Sequence, residues 1–385
     1  MGLAGDPAPL RIALTAPRLD PESGGLARWV GQFAAHLGRR GHDVHLIGFG
    51  TGSAAVAVEA HRLQDPGDPW ARARAVATCL DRLRPDLVHD SGVAPHADVF
   101  QPATGSERLS ERAMIAAGGP GHRLKARVSP KVFLRHRAMA SLERHQCRQA
   151  GAVIAMSALV RDLLLGLHPV PAERIQVIHN GVDTQLFDPE ARHRRRLHAR
   201  RHLGLGDEPL FLLVAHNLLL KGADTAIGAL ARLPAGSRAR LAIAGGEADA
   251  PWRQRVRRAG LEGRVLFLGP GQDIPLLHAA ADALVHPSRW DACSLVTIEA
   301  MASGLPVITT PRNGASELIR DGHSGFLVPA DAKAVLADRL QRLLDAPLRE
   351  RMGAAARVAA LAHDLETSLA AVEAVLLASR GRSRG

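Results

Sequence analysis

The sequence predicts an α/β protein with two doubly wound parallel sheets. Short apolar segments typical of buried strands alternate with helical segments along most of the chain. Such alternation favours parallel sheets that are covered by helices on both faces. The alternation occurs twice, on either side of a charged stretch near residues 180–205, and a length of 385 residues suits about two domains.

The first run of this pattern contains candidate strands and helices in regular succession. Its first helix begins at Gly24 and Gly25, ends before Gly41, and carries Trp29 and Phe33 on an apolar face. The other predicted helices are Trp70–Leu83, Lys131–Gln149 and Ser157–Leu167. The predicted strands are Leu10–Leu14, Asp43–Ile47, Val56–Ala60, Asp86–His89, Ala152–Met156 and Ile175–Ile178.

The second run repeats the pattern. Its predicted strands are Leu210–Ala215, Leu241–Ala244, Val265–Leu268, Ala283–His286 and Pro306–Thr309, and its helices are Ala223–Leu233, Pro251–Ala259, Ile274–Ala281 and one that begins after Ser294. We therefore predict a first domain at residues 1–180 and a second at 181–362. Residues 363–385 are predicted to form a helix that returns to the first domain and a disordered tail. Such sheets bind ligands at the carboxyl ends of their strands, so we expect the site in the cleft between the domains.

The net charge of +11 is concentrated in two segments. Residues 108–148 hold ten Lys or Arg against two Glu, and residues 192–201 read RHRRRLHARR. Neither has aromatic residues at stacking spacing, and the chain lacks zinc-finger and helix-turn-helix signatures, so no nucleic-acid partner is expected. We interpret the first segment as a surface for an anionic membrane or a phosphorylated acceptor, with a solvated helix face as the alternative. The second is interpreted as a solvated helix face.

The cysteines and the apolar runs indicate the compartment. Cys79, Cys147 and Cys293 are far apart, with neither a disulfide framework nor metal-ligand spacing. No apolar run has the length of a membrane span, and the first residues lack the features of a signal peptide. We therefore expect a cytoplasmic protein. His42 and His45 are spaced like metal ligands, but they lie at the start of a strand and are taken as incidental.

The segment from His286 to Thr310 carries the strongest local pattern. Asp291 and Glu299 lie eight residues apart, and Ser294 is a plausible N-cap of the helix between them. A helix N-terminus presents unpaired N–H groups and partial positive charge, which suit a phosphate. Two carboxylates beside such a helix start suit the hydroxyls of a nucleotide sugar. The spacing alone equally fits an ordinary amphipathic helix with one capping acid.

Several motifs together resemble a known family. They are HNGVD at 179–183, KGAD at 221–224, AGGE at 244–247, and Asp291 and Glu299 followed by ASGLPVI. This set resembles the retaining glycosyltransferases of the GT-B fold, family 4, and more narrowly the lipopolysaccharide-core glucosyltransferases. The resemblance covers residues 10 to 345 approximately, and it implies the GT-B fold, two Rossmann-like domains that face a central cleft.

The resemblance implies roles for individual residues in donor binding. Gly24 and Gly25 resemble the glycine pair that lets the first helix approach the diphosphate. Lys221 resembles the cation that neutralises the diphosphate, Asp291 the acid that holds the transferred sugar, and Glu299 the acid that holds the ribose hydroxyls. The start of the helix is implied as a second diphosphate site, formed by Cys293, Ser294, Leu295 and Val296.

The chain departs from the family pattern at two positions. Most members have Glu where this chain has Asp291. Many have an Arg shortly before or next to the Lys, where this chain has Leu218, Leu219 and Leu220. These departures leave one obvious cation, Lys221, for the diphosphate.

The resemblance also points to the loop after the DLVH strand of the first domain. His89 and Asp98 are the expected catalytic residues there, with Asp90 and His96 as further candidates. For each histidine taken alone, the pattern favours a place in the core or in a loop over a catalytic role.

The implied function is transfer of a hexose, with glucose from UDP-glucose as the expected donor, to a hydroxyl of a glycan or glycolipid, with retention at the anomeric carbon. Lipopolysaccharide core is the expected acceptor. The sequence has no D-x-D triplet, so neither a metal nor a cofactor is expected. The basic segment predicts peripheral attachment to the inner face of the cytoplasmic membrane. Two alternatives are a weakly active or inactive GT-B-like membrane-associated binding protein and a GT-B-fold epimerase or phosphorylase.

Overall fold

The structure, a computed structural model, describes residues 9–20, 24–50, 58–119, 121, 124 and 129–380. It contains two parallel sheets of seven and six strands, each with helices on its faces. The prediction of a GT-B fold with two Rossmann-like sheets is confirmed. None of the helices in these ranges is both long and apolar enough to span a membrane.

The first sheet has the strand order β3-β2-β1-β4-β5-β6-β7. Its strands are β1 (Arg11–Ala16), β2 (Asp43–Phe49), β3 (Glu59–Leu63), β4 (Leu87–Asp90), β5 (Val99–Phe100), β6 (Ala152–Ala155) and β7 (Ile175–Val177). Its helices are α1 (Gly25–Arg39), α2 (Pro69–Leu83), α3 (Glu107–Ala117), α4 (Pro130–Gln149) and α5 (Ala158–Leu167). The strand predicted at Val56–Ala60 begins at Glu59 instead, and residues 51–57 lie outside the described ranges.

The second sheet has the strand order β10-β9-β8-β11-β12-β13. Its strands are β8 (Leu210–Ala215), β9 (Arg240–Gly245), β10 (Val265–Gly269), β11 (Ala283–His286), β12 (Val307–Thr309) and β13 (Gly325–Leu327). Its helices are α6 (Pro189–His202), α7 (Ala223–Leu230), α8 (Ala250–Arg258), α9 (Ile274–Ala280), α10 (Leu295–Ala302), α11 (Lys333–Arg342) and α12 (Ala346–Leu361).

The chain crosses between the domains twice, and the two crossings lie side by side. Val182 N donates to His363 O over 2.9 Å, and Leu365 N donates to Val182 O over 3.0 Å. A side chain at Gly181 would lie 2.7 Å from the Cα of Leu365, so only glycine allows this approach. The last helix, α13 (Leu365–Ala378), then packs on α1, β4 and β6, and Leu369 and Leu376 complete the core of the first domain.

The basic helix α6 is not simply a solvated face, which corrects part of the sequence interpretation. Arg192, Arg196 and Arg200 donate hydrogen bonds to the carbonyls of residues 279–281, where α9 ends. Arg196 also forms a 2.7 Å ion pair with Asp282. The last carbonyls of a helix lack partners within it and carry partial negative charge, so the guanidinium groups stabilise this junction. Part of the positive charge is therefore structural.

Candidate active site

Two helix starts face each other across the cleft between the domains. A Cβ added at Gly25, the first residue of α1, would lie 3.0 Å from the side chain of Leu295, the first residue of α10. Gly24 has a φ of 136°, and a Cβ there would lie 3.3 Å from the His216 ring at the end of β8. The glycine pair therefore allows a contact between domains that larger residues would prevent.

Lys221 and Asp291 form an ion pair at the carboxyl edge of the second sheet. Lys221 Nζ lies 2.6 Å from Asp291 Oδ2 and donates to Trp290 O over 3.2 Å. His286, the last residue of β11, places Nε2 3.2 Å from the same Asp291 oxygen. Burial raises the pKa of Asp291, but Lys221 and His286 outweigh it and hold that pKa well below its ordinary value. Asp291 is therefore ionised near neutral pH.

Arg289 fixes the turn that carries Lys221. Its guanidinium binds both oxygens of Asp224 at 2.9 and 2.8 Å, approaches Asp331 to 2.5 Å, and donates to Leu219 O. The leucines before Lys221 thus build a turn held by a buried arginine. Because its charge is matched by two carboxylates, Arg289 does not replace the family's missing arginine.

The start of α10 presents fewer free amides than the sequence suggested. The Ser294 amide donates to Asn313 Oδ1 over 3.1 Å, and the Ser294 hydroxyl caps the Thr297 amide. Ser294 is therefore a structural cap, and its amide already has a partner in this arrangement. Within the described chain no hydrogen bond is recorded for the amides of Leu295 and Val296. These two amides are the available phosphate donors.

Cys293 is buried just before this helix. Its carbonyl accepts a hydrogen bond of 2.8 Å from Asn180 Nδ2 in the HNGVD segment. Burial raises the pKa of the Cys293 thiol to about 12. Asn180 and Cys293 therefore join the crossing segment to the helix start, and the thiol is neutral.

Glu299 is buried within α10 and meets a cation from the other domain. Arg28, on α1, donates to Glu299 Oε1, whereas Glu299 Oε2 is buried without a hydrogen-bond partner. Burial raises the pKa of Glu299, and Arg28 offsets part of this effect. Glu299 thus has one oxygen paired with the first domain and one buried oxygen without a hydrogen-bond partner.

The structure shows where the two catalytic candidates of the first domain lie. Asp98 lies immediately before β5, at the amino end of that strand, and accepts from Val88 N over 2.8 Å. Ligands of parallel sheets bind at the opposite edge. His89 lies inside the core between Trp29 and Phe33 and contacts Gln101, and burial lowers its pKa to about 4. Neither side chain faces the cleft in this arrangement, and the catalytic roles of Asp98 and His89 stay predictions.

The other two candidates also lack the position of a catalytic group. Asp90 is fully buried, and its Oδ1 accepts from Thr15 Oγ1 and from the Val93 and Ala94 amides at 2.6 to 2.9 Å. It therefore holds the loop after β4. His96 is exposed, with its ring against His145.

A cavity of about 130 Å³ lies at the carboxyl ends of β4 and β5. Arg72, Arg135, Glu107 and Glu143 line it together with apolar Phe100. Burial raises the pKa of the Glu107 carboxyl. The first domain thus has a mixed-charge cavity at the edge of the sheet that faces the second domain.

The wall of this cavity is tied to the loop that carries Asp291. Trp290 Nε1 donates to Thr104 O over 2.7 Å, and Ser157 Oγ donates to Ala292 O over 2.8 Å. Glu317 of the second domain accepts from the Ala158 and Leu159 amides that begin α5. The residues on either side of Asp291 therefore contact the first domain directly.

Sequence reasoning missed three residues of this site. Arg28 carries no local signal, because its partner Glu299 lies 271 residues away. Asn313 makes four hydrogen bonds around the start of α10, and no pattern within its own segment indicates them. His286 had a usable signal, since it ends a predicted strand five residues before Asp291.

Two family models match the chain. One, described as Glycosyltransferase Family 4, matches residues 23–186, and the other, described as Glycosyl transferases group 1, matches residues 195–359. Together they cover both domains. The chain belongs to the family-4 glycosyltransferases of the GT-B fold.

The chain covers different shares of the lengths of its sequence relatives. It is 34% identical to an alpha-D-kanosaminyltransferase of Streptomyces kanamyceticus over 215 residues, 54% of the chain and 55% of that protein. It is 32% identical to a D-inositol 3-phosphate glycosyltransferase of Stackebrandtia nassauensis over 54% of the chain and 49% of that protein. The chain thus spans about half the length of these two relatives. The Mycolicibacterium smegmatis enzyme of the same name is 28% identical over 97% of the chain and 92% of that protein.

Solved structures share the fold. WaaG, a glycosyltransferase involved in lipopolysaccharide biosynthesis, superposes with a TM-score of 0.79 at 24% identity, over 95% of this chain and 99% of that one. Anabaena HepE in complex with UDP and glucose superposes with a TM-score of 0.72 at 23% identity, over 96% of this chain and 100% of that one.

Proposed function

We propose that this GT-B family member is a retaining hexosyltransferase that uses a nucleotide diphosphate sugar, with UDP-glucose as the first candidate. The acceptor is a hydroxyl of a glycan or glycolipid, and lipopolysaccharide core is the first candidate. The observation that carries the proposal is the Lys221–Asp291 ion pair beside an uncapped pair of helix amides at the interdomain edge. The HepE structure with UDP-glucose and the WaaG structure support the choice of donor and acceptor class by analogy of fold.

Three sets of residues in the site would bind the donor. The ribose hydroxyls bind Glu299, whose Oε2 has no hydrogen-bond partner. The diphosphate binds the amides of Leu295 and Val296 and the ammonium of Lys221. The sugar hydroxyls bind Asp291, which is ionised and accepts hydrogen bonds only.

Arg28 supplies the second cation that the leucines before Lys221 leave out. Arg28 belongs to the first domain, is half-exposed, and pairs with Glu299 of the second domain. Once ribose hydroxyls bind Glu299, the pairing with Glu299 stabilises Arg28 less. The diphosphate carries more negative charge than the Glu299 carboxylate and attracts Arg28 more strongly. Arg28 then moves to the diphosphate, so one side chain closes the cleft and neutralises the donor.

The transfer proceeds on the same face of the sugar. The bond between the anomeric carbon and the diphosphate oxygen breaks, and the acceptor oxygen bonds to the same carbon. The leaving diphosphate oxygen takes the proton of the acceptor hydroxyl. Lys221, Arg28 and the α10 amides stabilise the charge that grows on the diphosphate. Asp291 is paired with Lys221 and Cys293 is a buried neutral thiol, so neither is proposed as a nucleophile. These cations and amides perform the role of a metal, and we propose that transfer requires neither a metal nor a cofactor.

The acceptor enters through the cavity of the first domain. Arg135 lines it and suits a phosphorylated or otherwise anionic acceptor, whereas Arg72, also in the lining, is paired with Asp65 at 2.7 Å. The hydrogen bond from Trp290 to Thr104 joins its wall to the Asp291 loop, so acceptor and transferred sugar come together at one place.

We further propose that α4 docks the protein on an anionic membrane, at the inner face of the cytoplasmic membrane. Phe133 and Leu134 are exposed large apolar residues on this helix, beside the exposed cations Lys131, Arg135 and Arg137. Exposed apolar and basic groups on one helix suit the headgroup region of such a membrane. Arg123, Lys125 and Arg127 of the same basic segment lie outside the described residues.

A second candidate is a GT-B-like binding protein without turnover. It is favoured by Asp291 in place of Glu and by the absence of an arginine next to Lys221. Both candidates bind a nucleotide sugar, and they differ in whether the bond to the anomeric carbon breaks.

The experiment is a donor panel of UDP-, GDP- and ADP-hexoses, with release of the free nucleotide diphosphate as the readout. Wild type is compared with Lys221→Ala and Glu299→Ala, and with Glu262→Ala, an exposed glutamate away from the cleft, as the control. Turnover with one donor that both site variants abolish supports the transferase. Equal turnover in all four proteins contradicts the site. Donor binding with no turnover, with and without glycan acceptors, favours the binding protein.

A further inference from the structure

Two histidines and a glutamate meet at the outer edge of the first sheet, away from the transfer site. His45 lies on β2, and Glu59 and His61 lie on the edge strand β3. In the register of these strands, His45 is opposite Glu59 and Ile47 is opposite His61. Side chains alternate between the faces of a strand, so all three residues share one face. His45 and Glu59 are at the amino ends of their strands, whereas the cleft lies at the carboxyl ends.

The three side chains bring their donor atoms close together. His45 Nδ1 is 3.1 Å from His61 Nε2 and 3.6 Å from Glu59 Oε2, and His61 Nε2 is 3.6 Å from Glu59 Oε1. In a tetrahedral Zn²⁺ site the bonds to nitrogen and oxygen are about 2.0–2.2 Å, which separates neighbouring ligand atoms by about 3.3–3.6 Å. The two nitrogens are slightly closer than this range, and each faces a different oxygen of Glu59 at its upper end, so a small rotation of the carboxylate lets one oxygen serve as the third ligand.

A second carboxylate lies beside the buried histidine. His45 Nε2 lies 3.2 Å from Asp43 Oδ1 without the geometry of a hydrogen bond, and Arg11 Nε donates to Asp43 Oδ2 over 2.9 Å. With Nε2 on the side of Asp43, His45 turns Nδ1 to the other two ligands. A carboxylate behind a metal-binding imidazole is the usual second contact of such ligands. The side chain of His45 is 6% exposed, so this orientation is fixed by packing.

We propose that His45, Glu59 and His61 bind one Zn²⁺ ion, with water at the fourth position, and that the ion fastens the edge strand β3 to β2. Two imidazoles and one carboxylate suit this metal. Glu59 and His61 are accessible to solvent, which gives the ion a path to the site. His42 is not a ligand, because its Nδ1 accepts from Leu10 N and its Nε2 faces Glu373. The role is structural, and transfer does not depend on it.

Calorimetric titration of the chelator-treated full chain with ZnCl₂ tests the site. We expect one tight site in wild type and its loss in both His45→Ala and His61→Ala. Asp43→Asn should weaken binding by about 10- to 100-fold, because it removes the negative charge beside the imidazole of His45. His198→Ala, which removes an exposed histidine of α6, is the matched control and should leave the tight site unchanged. Co²⁺ in wild type should give the intense visible bands of a four-coordinate ion.

His61 is partly exposed, so His61→Ala is the variant expected to fold even if His45→Ala does not, and circular dichroism checks both. Zn²⁺ should raise the melting temperature of wild type but not of His61→Ala, and donor turnover should be the same with and without Zn²⁺. Tight binding that survives in a folded His61→Ala, or the absence of tight binding in wild type, would overturn the site. A turnover that requires Zn²⁺ and fails in His61→Ala would overturn the structural role.

Discussion

Arg28 of the first domain donates a hydrogen bond to Glu299 of the second, and the two residues close the cleft from opposite sides. Glu299 is buried, and its other carboxylate oxygen has no hydrogen-bond partner. A buried carboxylate with one open acceptor favours a ligand that brings hydroxyl groups. We therefore expect the donor to contact this pair of residues and to change the contact that they make between the domains.

Replacing Arg28 tests its role as the second cation of the donor site. We expect Arg28→Ala to lower kcat/KM by about 100-fold, the cost typical of removing one donor to a developing negative charge. Arg28→Lys should recover part of that loss because it retains the charge. Arg39→Ala, on the same helix, removes an exposed arginine that pairs with Glu366 and is the control. Steady-state kinetics with an unchanged kcat/KM in Arg28→Ala would show that Lys221 acts alone.

His89 should make stability depend on pH between 5 and 7. Burial lowers its pKa to about 4 in the folded chain, against an ordinary value of 6.5. As the pH falls below 6.5, the unfolded chain takes up a proton that the folded chain does not. This contribution to stability is therefore fully present above pH 6.5 and is lost as the pH falls toward 4. The loss between pH 7 and pH 5 is about 2 kcal/mol.

Urea unfolding of wild type and His89→Gln at the two pH values measures this contribution. Glutamine keeps a donor for Gln101 but does not titrate, so the variant should lose about 2 kcal/mol less than wild type on acidification. Donor turnover by folded His89→Gln should stay within about tenfold of wild type, since a general acid or base contributes more than that. A larger loss of kcat would restore the catalytic role that the sequence suggested.

Asn313 should be critical for the shape of the phosphate site. Its Oδ1 accepts from the Ser294 and Ala315 amides, and its Nδ2 donates to Thr297 and Thr309. Removing a fully buried amide with four hydrogen bonds should cost about 3 kcal/mol in free energy of unfolding and loosen the start of α10. Asn313→Ala is compared with Ser324→Ala by thermal denaturation and by UDP binding. A loss equal to that of Ser324→Ala in both measurements would exclude this role.

Membrane attachment through α4 predicts a dependence on both salt and apolar side chains. Wild type should sediment with anionic vesicles and not with neutral ones, and binding should weaken as salt rises. Phe133→Ser with Leu134→Ser should reduce binding at low salt, because it removes two exposed apolar side chains. Val358→Ser with Leu361→Ser, at exposed apolar positions of α12, is the matched control. Vesicle binding that ignores salt, or that both double variants reduce equally, would contradict the proposal.

The sequence predicted both sheets because most strands are short apolar runs bounded by helical segments. It misplaced β3, because EAHRL at Glu59–Leu63 is a half-buried edge strand without an apolar run. It predicted Lys221, Asp291 and Glu299 as donor-site residues through motifs that lie on adjacent loops and one helix of the second domain. Those motifs are local, and the structure adds the distances between them.

The other features of the site depend on contacts between residues far apart in the sequence, which no local pattern predicts. Arg28 meets Glu299 only after the two domains come together, and His45 meets His61 only after β3 pairs with β2. The end of β4 and the loop after it contain four candidate catalytic residues. Packing buries His89 and Asp90, and Asp98 lies immediately before the amino end of β5. Residue type and spacing do not determine which side of a loop faces the cleft.

The most direct test of the nucleotide-sugar site is the affinity for UDP, measured by isothermal titration of wild type, Glu299→Ala and Glu262→Ala. Glu299 is proposed to hold the ribose hydroxyls, so its loss should raise the Kd by about tenfold or more, as the removal of hydrogen bonds to a charged group does. Glu262→Ala should bind UDP like wild type. The same Kd for UDP in all three proteins would contradict the site.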